Sequence, residues 1–239
     1  MNKQEKIVSM FNNISKTYDI TNRILSLGID KSWRNKACKL TFDYYKKDSI
    51  ANIVDVACGT GDMIDYWQKI AIKKYIKIDN IIGIDPSIGM LDVAREKLPK
   101  IEFIQGNATN LNLEDNSIDI LSISYGIRNV VQRQEAFNEF ARVLKPNGLL
   151  VILEFTKNKK ESILDHITDF YMNKVIPFLG GILSRNKEAY EYLPNSIDEF
   201  LTTSNLKKEL KNANLDPIYT KGFSMNISTL FIARKENIK

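Results

Sequence analysis

The chain has 239 residues, of which 44% are hydrophobic and 26% are charged, and these values are typical of a globular protein and exclude a disordered chain. Its one histidine, His166, and its two cysteines, Cys38 and Cys58, are too few for a common structural zinc site, an HExxH metalloprotease or a disulfide framework, so we expect no bound metal. The net charge of +5 is spread along the chain without a run of five basic residues, which favours a solvated surface over a nucleic-acid-binding one.

No apolar segment of the sequence has the length of a membrane span. The N-terminal residues lack the long apolar region of a signal peptide, and no uncharged apolar run reaches the roughly 18 residues that a span needs. The most apolar stretch, residues 175–183, is interrupted by Pro177, Gly180 and Gly181. The sequence therefore predicts a cytoplasmic chain, and its modest basic excess leaves contact with an anionic membrane open.

The periodicity of apolar residues predicts helices first and then alternating strands and helices. Residues 1–50 carry apolar residues at helical spacing. Short apolar runs then predict strands at 51–57, 81–85, 101–105, 118–123 and 149–155, with helices at 63–72, 86–98 and 136–144 between them. Residues 157–201 read as a helical, aromatic insert over the carboxyl edge of the sheet, followed by a helix at 206–213 and two last strands at 218–222 and 227–233.

This order predicts a single α/β domain over residues 1–239, with a doubly wound, mostly parallel, seven-stranded sheet. Its parts are an N-terminal helical cap (1–50), a cofactor-binding core (51–156), the helical insert (157–201) and a final helix with two strands (202–239). The pairing of the last two strands, which could be antiparallel, stays open.

A glycine-rich turn after the first predicted strand indicates a nucleotide site. Cys58-Gly59-Thr60-Gly61-Asp62 would let the backbone turn tightly and approach a ligand. The turn lacks the third glycine of a dinucleotide fingerprint, and no GK[ST] follows, which argues against a bound triphosphate.

Polar residues end the next three predicted strands as well. Asp85 could accept hydrogen bonds from both ribose hydroxyls, although an Asp before Pro is also a common helix cap. Asn107, beside Ala108, could pair with an adenine edge, and Ser124 ends the fourth strand. Because ligands of open α/β sheets bind at the carboxyl ends of strands, these groups predict a nucleoside site.

This arrangement resembles the class I S-adenosylmethionine-dependent methyltransferases, whose fold is Rossmann-like. Four further stretches resemble the UbiE/MenG family of quinone-biosynthesis C-methyltransferases: residues 18–29 with Trp33, residues 126–130 (Gly-Ile-Arg-Asn-Val), residues 142–148 with 153–155, and residues 190–197. The chain departs from the family pattern at Cys58, Asp30, Asn147 and Thr156. The resemblance implies S-adenosylmethionine as the cofactor, with contacts from Gly59, Thr60, Gly61, Asp85, Asn107, Ala108 and Ser124.

The resemblance also implies methyl transfer to a ring carbon of a prenylated hydroquinone. Such a reaction needs a stabiliser for a phenolate, a proton acceptor and an apolar wall. Arg128 could stabilise the phenolate, or could form a salt bridge at the sheet edge, and Asn129 could orient the ring oxygen. Asp19 or a water molecule could take the proton, Tyr18 could hold the ring, and His166 is read as structural.

The family does not decide between two quinols. Demethylmenaquinol is the preferred substrate and a 2-polyprenyl-methoxy-benzoquinol the alternative, with transient peripheral membrane contact and no nucleic-acid partner. Nucleic-acid methylases are disfavoured, because no Asn/Asp-Pro-Pro-aromatic run follows the fourth strand and neither cysteine is placed as a nucleophile. A non-catalytic S-adenosylmethionine-binding scaffold is the alternative from another class.

Overall fold

One mixed sheet organises the computed structural model, which describes residues 1–157, 170–184 and 186–236. Its strands are β1 (Ser49–Val56), β2 (Lys77–Asp85), β3 (Glu102–Gln105), β4 (Ile118–Ser124), β5 (Leu144–Glu154), β6 (Leu215–Phe223) and β7 (Ser228–Lys235). Their order in the described sheet is β3-β2-β1-β4-β5-β7-β6. Strands β1 to β5 pair in parallel, whereas β7 pairs antiparallel with both β5 and β6. The predicted mostly parallel α/β sheet is therefore confirmed, and the open question of the last two strands is answered as an antiparallel pair.

Helices cover both faces of the sheet and its carboxyl edge. They are α1 (Lys3–Leu25), α2 (Ile29–Tyr45), α3 (Asp62–Lys74), α4 (Ile88–Lys97), α5 (Arg133–Val143), α6 (Ile176–Ser184), α7 (Lys187–Asp198) and α8 (Thr203–Asn212), with a 3-10 turn at Ile127–Asn129 and a π-helical turn at Tyr171–Val175. Residues 170–184 and 187–198 of the predicted insert are helical, and His166 lies outside the described residues.

Two apolar cores hold these layers together. On one face Trp33, Phe42 and Trp67 pack against the sheet, and on the other Phe137 and Phe140 of α5 do so. Both cores continue through fully buried residues of β1, β4 and β5. Because strands of a parallel sheet are covered on both faces, their sequences are apolar runs rather than alternating patterns, and this is what made them recognisable.

Helix α1 is fixed across the carboxyl edge, where the site lies. The side-chain oxygen of Asn12 accepts hydrogen bonds from Ser87 Oγ (2.7 Å) and from the Gly89 backbone N–H (2.9 Å) at the start of α4. A Cβ at Gly89 would lie 3.0 Å from Ser15 Oγ, so glycine permits this close approach of the two helices. The N-terminal cap therefore forms a wall over the strand ends.

Two strands begin four or more residues earlier than the sequence predicts. Strand β2 begins at Lys77 rather than at residue 81, because residues 77–80, which are polar except for Ile78, pair with the first residues of β1. Residues 145–148, predicted as a turn before the fifth strand, form an irregularity within β5, between the pairs Ile118–Leu144 and Ile120–Leu149.

Among the residues that the structure describes, no helix has both the length and the hydropathy required to cross a membrane.

Candidate active site

A cavity of about 590 Å³ lies at the carboxyl ends of β1, β2 and β4 and the loop after β3; we call it the cofactor cavity. Its lining includes five of the seven predicted cofactor contacts: Gly59, Asp85, Asn107, Ala108 and Ser124. Parallel strands bring these residues together, although they are spread over 66 positions of the sequence, from residue 59 to residue 124.

The glycine turn shapes the floor of this cavity. Gly59 and Gly61 have φ angles of +55° and +81°, which side-chain-bearing residues rarely adopt. A Cβ on Gly61 would also lie 3.0 Å from Leu98 Cδ1. Gly61 does not line the cavity itself; its contribution is the turn that starts α3.

Asp85 is the best-supported ligand-binding group of the cavity. One carboxylate oxygen accepts the Gly59 N–H and the other accepts the Ser87 N–H, both at 2.8 Å. Ser87, not Asp85, caps helix α4, because its hydroxyl accepts the Met90 N–H. Burial raises the pKa of Asp85 to about 6, against the lowering effect of these two hydrogen bonds.

A nucleoside cofactor fits the groups that line this cavity. Each carboxylate oxygen of Asp85 retains acceptor capacity beyond its one backbone bond, which suits the two hydroxyls of a ribose. Asn107 supplies an amide that can both donate and accept, and Ala108 supplies a small apolar surface. The charged residues of the lining are Asp85 and Glu5, and no lysine or arginine of the described chain lines the cavity, which suits a nucleoside without phosphates.

Two predicted residues of the site lie elsewhere. The Thr60 hydroxyl donates to Asp19 Oδ1 at 2.5 Å, and Asp19 Oδ2 accepts from Lys97 at 2.9 Å. In the described part of the chain, neither Thr60 nor Asp19 lines the cofactor cavity or the second cavity that lies beside it. The two residues connect α1 to the glycine turn, and the role of Asp19 as a proton acceptor stays a prediction.

A second cavity, of about 200 Å³, lies beside the first; we call it the apolar cavity. Its apolar walls come from α1, α2, the π-helical turn, α6, α7 and the β6–β7 turn, and include Phe11, Leu25, Trp33, Phe155, Tyr171, Ile176 and Leu193. Phe11, Tyr18 and Tyr125 line both cavities, so the two meet at these rings.

Arg128 provides positive charge in the apolar cavity, and its two predicted roles are compatible. Its Nη1 donates to Glu154 Oε1 at 2.6 Å and to the Tyr125 carbonyl at 2.8 Å, and its Nε donates to Ser196 Oγ at 3.2 Å. Glu154 is fully buried, and desolvation raises its pKa although Arg128 opposes this shift. The predicted salt bridge is therefore present, and it holds the guanidinium in a fixed position in the cavity wall.

Tyr18 and Asn129 lie at the junction of the two cavities. Burial raises the pKa of the Tyr18 hydroxyl, while the charges of Arg128 and Arg34 act in the opposite direction. Asn129 lines the cofactor cavity, and its side-chain oxygen accepts the Tyr192 hydroxyl at 3.0 Å. Its side chain thus joins α7 to the site, and its predicted role in orienting the ring oxygen stays a prediction.

Arg34 is a residue of the apolar cavity that the sequence analysis did not identify. Its guanidinium lies 5.2 Å from the centre of the Tyr125 ring, and its buried Nε has no hydrogen-bond partner among the described residues. Asp30, which departs from the family pattern, accepts from Arg34 at 2.6 Å and also pairs with Arg23. The sequence feature that could have identified Arg34 is the spacing of an Asp and an Arg four residues apart on one predicted helix.

An ion-pair cluster links α1 and α2 to the glycine turn. Asp62, which follows Gly61, pairs with Arg23 and with Lys97, the latter at 2.5 Å. Burial acts to raise the pKa of Asp62, but the positive charges of Arg34, Lys97 and Arg23 outweigh it and lower the pKa to about 2. The cluster therefore fixes the positions of α1 and α2 relative to the glycine turn.

Comparison with known proteins shows similarity to a family of methyltransferases. The model of the ubiE/COQ5 methyltransferase family matches residues 1–235. The Ubiquinone/menaquinone biosynthesis C-methyltransferase UbiE of Campylobacter jejuni (strain RM1221) is 56% identical over 235 residues, covering 98% of this chain and all of the relative. The demethylmenaquinone methyltransferase of Bacteroides fragilis (strain YCH46) is 36% identical, covering 98% of this chain and 94% of the relative.

Solved structures agree on the fold. A SAM-dependent methyltransferase of Thermotoga maritima, described as a possible histamine N-methyltransferase, superposes with a TM-score of 0.65 at 20% identity, covering 96% of this chain and all of that one. At this level of identity the likeness concerns the fold alone.

Proposed function

Because this chain belongs to the ubiE/COQ5 methyltransferase family, we propose that it methylates a ring carbon of a prenylated hydroquinone, and specifically that it converts demethylmenaquinol to menaquinol. The enzyme is an S-adenosylmethionine-dependent methyltransferase. The observation that carries the substrate proposal is the contact between a polar and an apolar cavity at Tyr18 and Tyr125, with Arg128 in the apolar one. Relatives named as demethylmenaquinone methyltransferases support the choice of ring.

The cofactor cavity holds S-adenosylmethionine through its strand-end residues. Asp85 would accept the ribose hydroxyls, Asn107 and Ala108 would contact the adenine, and Gly59 and Ser124 would line the path toward Tyr18. When bound, the cofactor supplies a methyl group that its sulfonium charge has already activated. The task of the protein is then to place the acceptor carbon and to make it nucleophilic.

Arg128 makes the acceptor ring nucleophilic by stabilising its phenolate. A quinol hydroxyl has a pKa near that of tyrosine, about 10, so deprotonation at neutral pH needs stabilisation of the anion. A guanidinium held in place by Glu154 and the Tyr125 carbonyl supplies that stabilisation without reorganisation. Arg128 itself stays protonated and cannot act as the base.

The protons leave the ring in two stages. The hydroxyl proton would leave before methylation, and the hydrogen on the methylated carbon would leave afterwards as a proton, which restores the aromatic ring. Since Asp19 is held by Thr60 and Lys97, we assign both protons to water at the junction of the cavities. Tyr18, which lines both cavities, would hold the ring against the cofactor.

The apolar cavity would accept the first part of the prenyl tail. Tyr171, Ile176 and Leu193 would contact it, and the rest of a long tail exceeds a volume of about 200 Å³. A substrate of this kind is dissolved in the membrane, so we propose that the enzyme works from the cytoplasm with transient contact to the inner membrane surface.

Methyl transfer to chemically reduced demethylmenaquinone tests this function. The purified enzyme, incubated with S-adenosylmethionine labelled in its methyl group, is expected to place the label in the naphthoquinol ring. A parallel incubation with a prenyl-methoxy-benzoquinol decides between the two rings. Label in neither lipid, with the cofactor bound normally in calorimetry, would instead favour a non-catalytic scaffold.

A further inference from the structure

Exposed apolar side chains surround the opening of the apolar cavity. They come from three segments: the α1–α2 turn with Leu27 (79% exposed) and Ile29 (43%), helix α6 with Phe178 (66%), and the β6–β7 turn with Met225 (56%). We call these four residues the apolar rim. A single exposed apolar residue needs no explanation, but several around one opening indicate an interaction surface.

Contacts with the cavity place the three segments around one opening. Leu27 and Ile29 line the apolar cavity directly. Met225 lies between Ser224 and Ile227, which line the same cavity. Phe178 lies on α6, whose first residue, Ile176, lines the cavity, and its position two residues later places it on the outer face of that helix. The lining of the cavity therefore reaches solvent at Leu27 and Ile29, and Met225 and Phe178 are exposed on the neighbouring segments.

Helix α1 extends the rim along its outer face. Ile20 and Ile24 are 67% and 46% exposed and lie seven and three positions before Leu27. The four-residue spacing places Ile20 and Ile24 on one face of α1, and Leu27 follows in the turn after the helix. Polar residues would be expected on a solvated helix face, so the stripe points to a covered surface.

Unpaired basic residues accompany the apolar rim. Lys31 follows Ile29 on α2, Lys36 has its ammonium 5.7 Å from the centre of the Phe223 ring just before the β6–β7 turn, and Lys221 and Lys174 lie on β6 and the π-helical turn. All four are exposed, and within the described ranges of the chain none of them forms an ion pair. The nearby carboxylate of Asp30 is buried and already paired with two arginines.

We propose that the apolar rim docks the enzyme on an anionic lipid bilayer, with its lysines at the headgroups and the opening of the apolar cavity facing the acyl chains. Apolar side chains with flanking lysines match the two layers of a membrane surface, an apolar interior beneath anionic headgroups. A prenylated ring could then enter the cavity while its tail stays in the bilayer. The proposal rests on the proposed function only in identifying the cargo as a lipid.

Vesicle binding by the full chain tests the docking face. We expect the wild type to sediment with vesicles of 70% phosphatidylcholine and 30% phosphatidylglycerol, and to bind pure phosphatidylcholine vesicles at least tenfold more weakly. The double variant Phe178→Ser/Met225→Ser, neither residue lining the cavity, should lose at least tenfold in anionic-vesicle binding. The matched control Ile72→Ser/Tyr75→Asn changes two exposed residues (76% and 93%) at the end of α3 and directly after it, at the opposite edge of the sheet, and should bind as the wild type does.

A labelled variant provides a measurement that does not depend on loss of binding. Met225→Cys can carry an environment-sensitive fluorophore, because the native Cys38 and Cys58 are buried. Its emission should shift to the blue when anionic vesicles are added, and emission from Tyr75→Cys should not. Equal shifts at both positions, or equal vesicle binding by the rim variant and its control, would overturn the proposal.

The two proposals fail in different ways. An enzyme that methylates a detergent-dissolved quinol but does not bind vesicles would contradict the docking face and leave the proposed function intact. Vesicle binding through the rim without methyl transfer to any quinol would contradict the proposed function alone.

Discussion

The two cavities of the active site are built in different ways. The cofactor cavity is formed by residues at consecutive strand ends, and Asp85 at its centre is fixed by backbone N–H groups of Gly59 and Ser87. The apolar cavity is enclosed by side chains of α1, α2, α6, α7 and the β6–β7 turn, segments far apart in sequence. The comparison suggests that the sheet supplies general cofactor binding and the added helices supply the choice of substrate.

Removing the charge of Arg128 should distinguish the roles of the two cavities most clearly, because it should lower turnover and leave cofactor binding unchanged. The double variant Arg128→Met/Glu154→Gln removes both charges of the buried pair, so that no unpaired carboxylate remains. We expect turnover to fall by about 10²- to 10³-fold, as for loss of one group that stabilises an oxyanion, while calorimetry shows cofactor affinity within threefold of the wild type.

The single variant Arg128→Ala serves as the comparison for that double variant. It should lower the free energy of unfolding by about 3–5 kcal/mol, because Glu154 is left buried without its partner. Equal losses of cofactor affinity and turnover in the double variant would mean that Arg128 has only a structural role.

Replacing Asp85 should weaken binding of the cofactor in the cofactor cavity. Asp85→Ala leaves the ribose hydroxyls unpaired, which costs about 1–3 kcal/mol, and cofactor affinity measured by calorimetry should fall by about 5- to 150-fold. The control Asp79→Ala removes an exposed carboxylate of the same strand that pairs with Lys77, and its affinity should not change. Unchanged affinity in Asp85→Ala would refute the assignment of this cavity to the cofactor.

Acid should weaken cofactor binding through the same carboxylate. The pKa of Asp85 is raised by burial to about 6 in the folded chain, so the group is ionised at pH 7.5 and mostly protonated at pH 5. Because the ribose hydroxyls bind the ionised form, affinity should fall by up to about tenfold per pH unit below pH 6. Asp85→Asn should bind weakly with little dependence on pH between 5 and 7.5, and an unchanged slope would mean that another group titrates.

The smallest expected effect concerns the link between the cavities. Tyr192→Phe removes the hydrogen bond of 3.0 Å to Asn129, worth about 0.5–1.5 kcal/mol. The expected change is a two- to tenfold rise in the KM for the quinol, with the cofactor affinity unchanged, measured by steady-state kinetics. A loss confined to cofactor binding would place Tyr192 in the other cavity.

The same difference between strand ends and packed helices explains which features of the fold and the site could be predicted from the sequence. Fold class, strand order along the chain and Asp85, Asn107 and Ser124 were predictable, because strand ends are local signals and parallel strands bring them to one edge. The hydrogen bond between Asp19 and Thr60 was not predictable, since it joins residues 41 positions apart. Arg34 and the Asn129–Tyr192 contact depend on how helices pack over the sheet, which apolar periodicity does not encode.

A crystal structure of the enzyme with S-adenosylhomocysteine and a short-chain menaquinol would test the central claim most directly. The account predicts the ribose hydroxyls on Asp85, the quinol ring against Tyr18 in the apolar cavity, and a ring oxygen within hydrogen-bond distance of Arg128. A quinol bound outside that cavity, or with its ring oxygens turned away from Arg128, would contradict it.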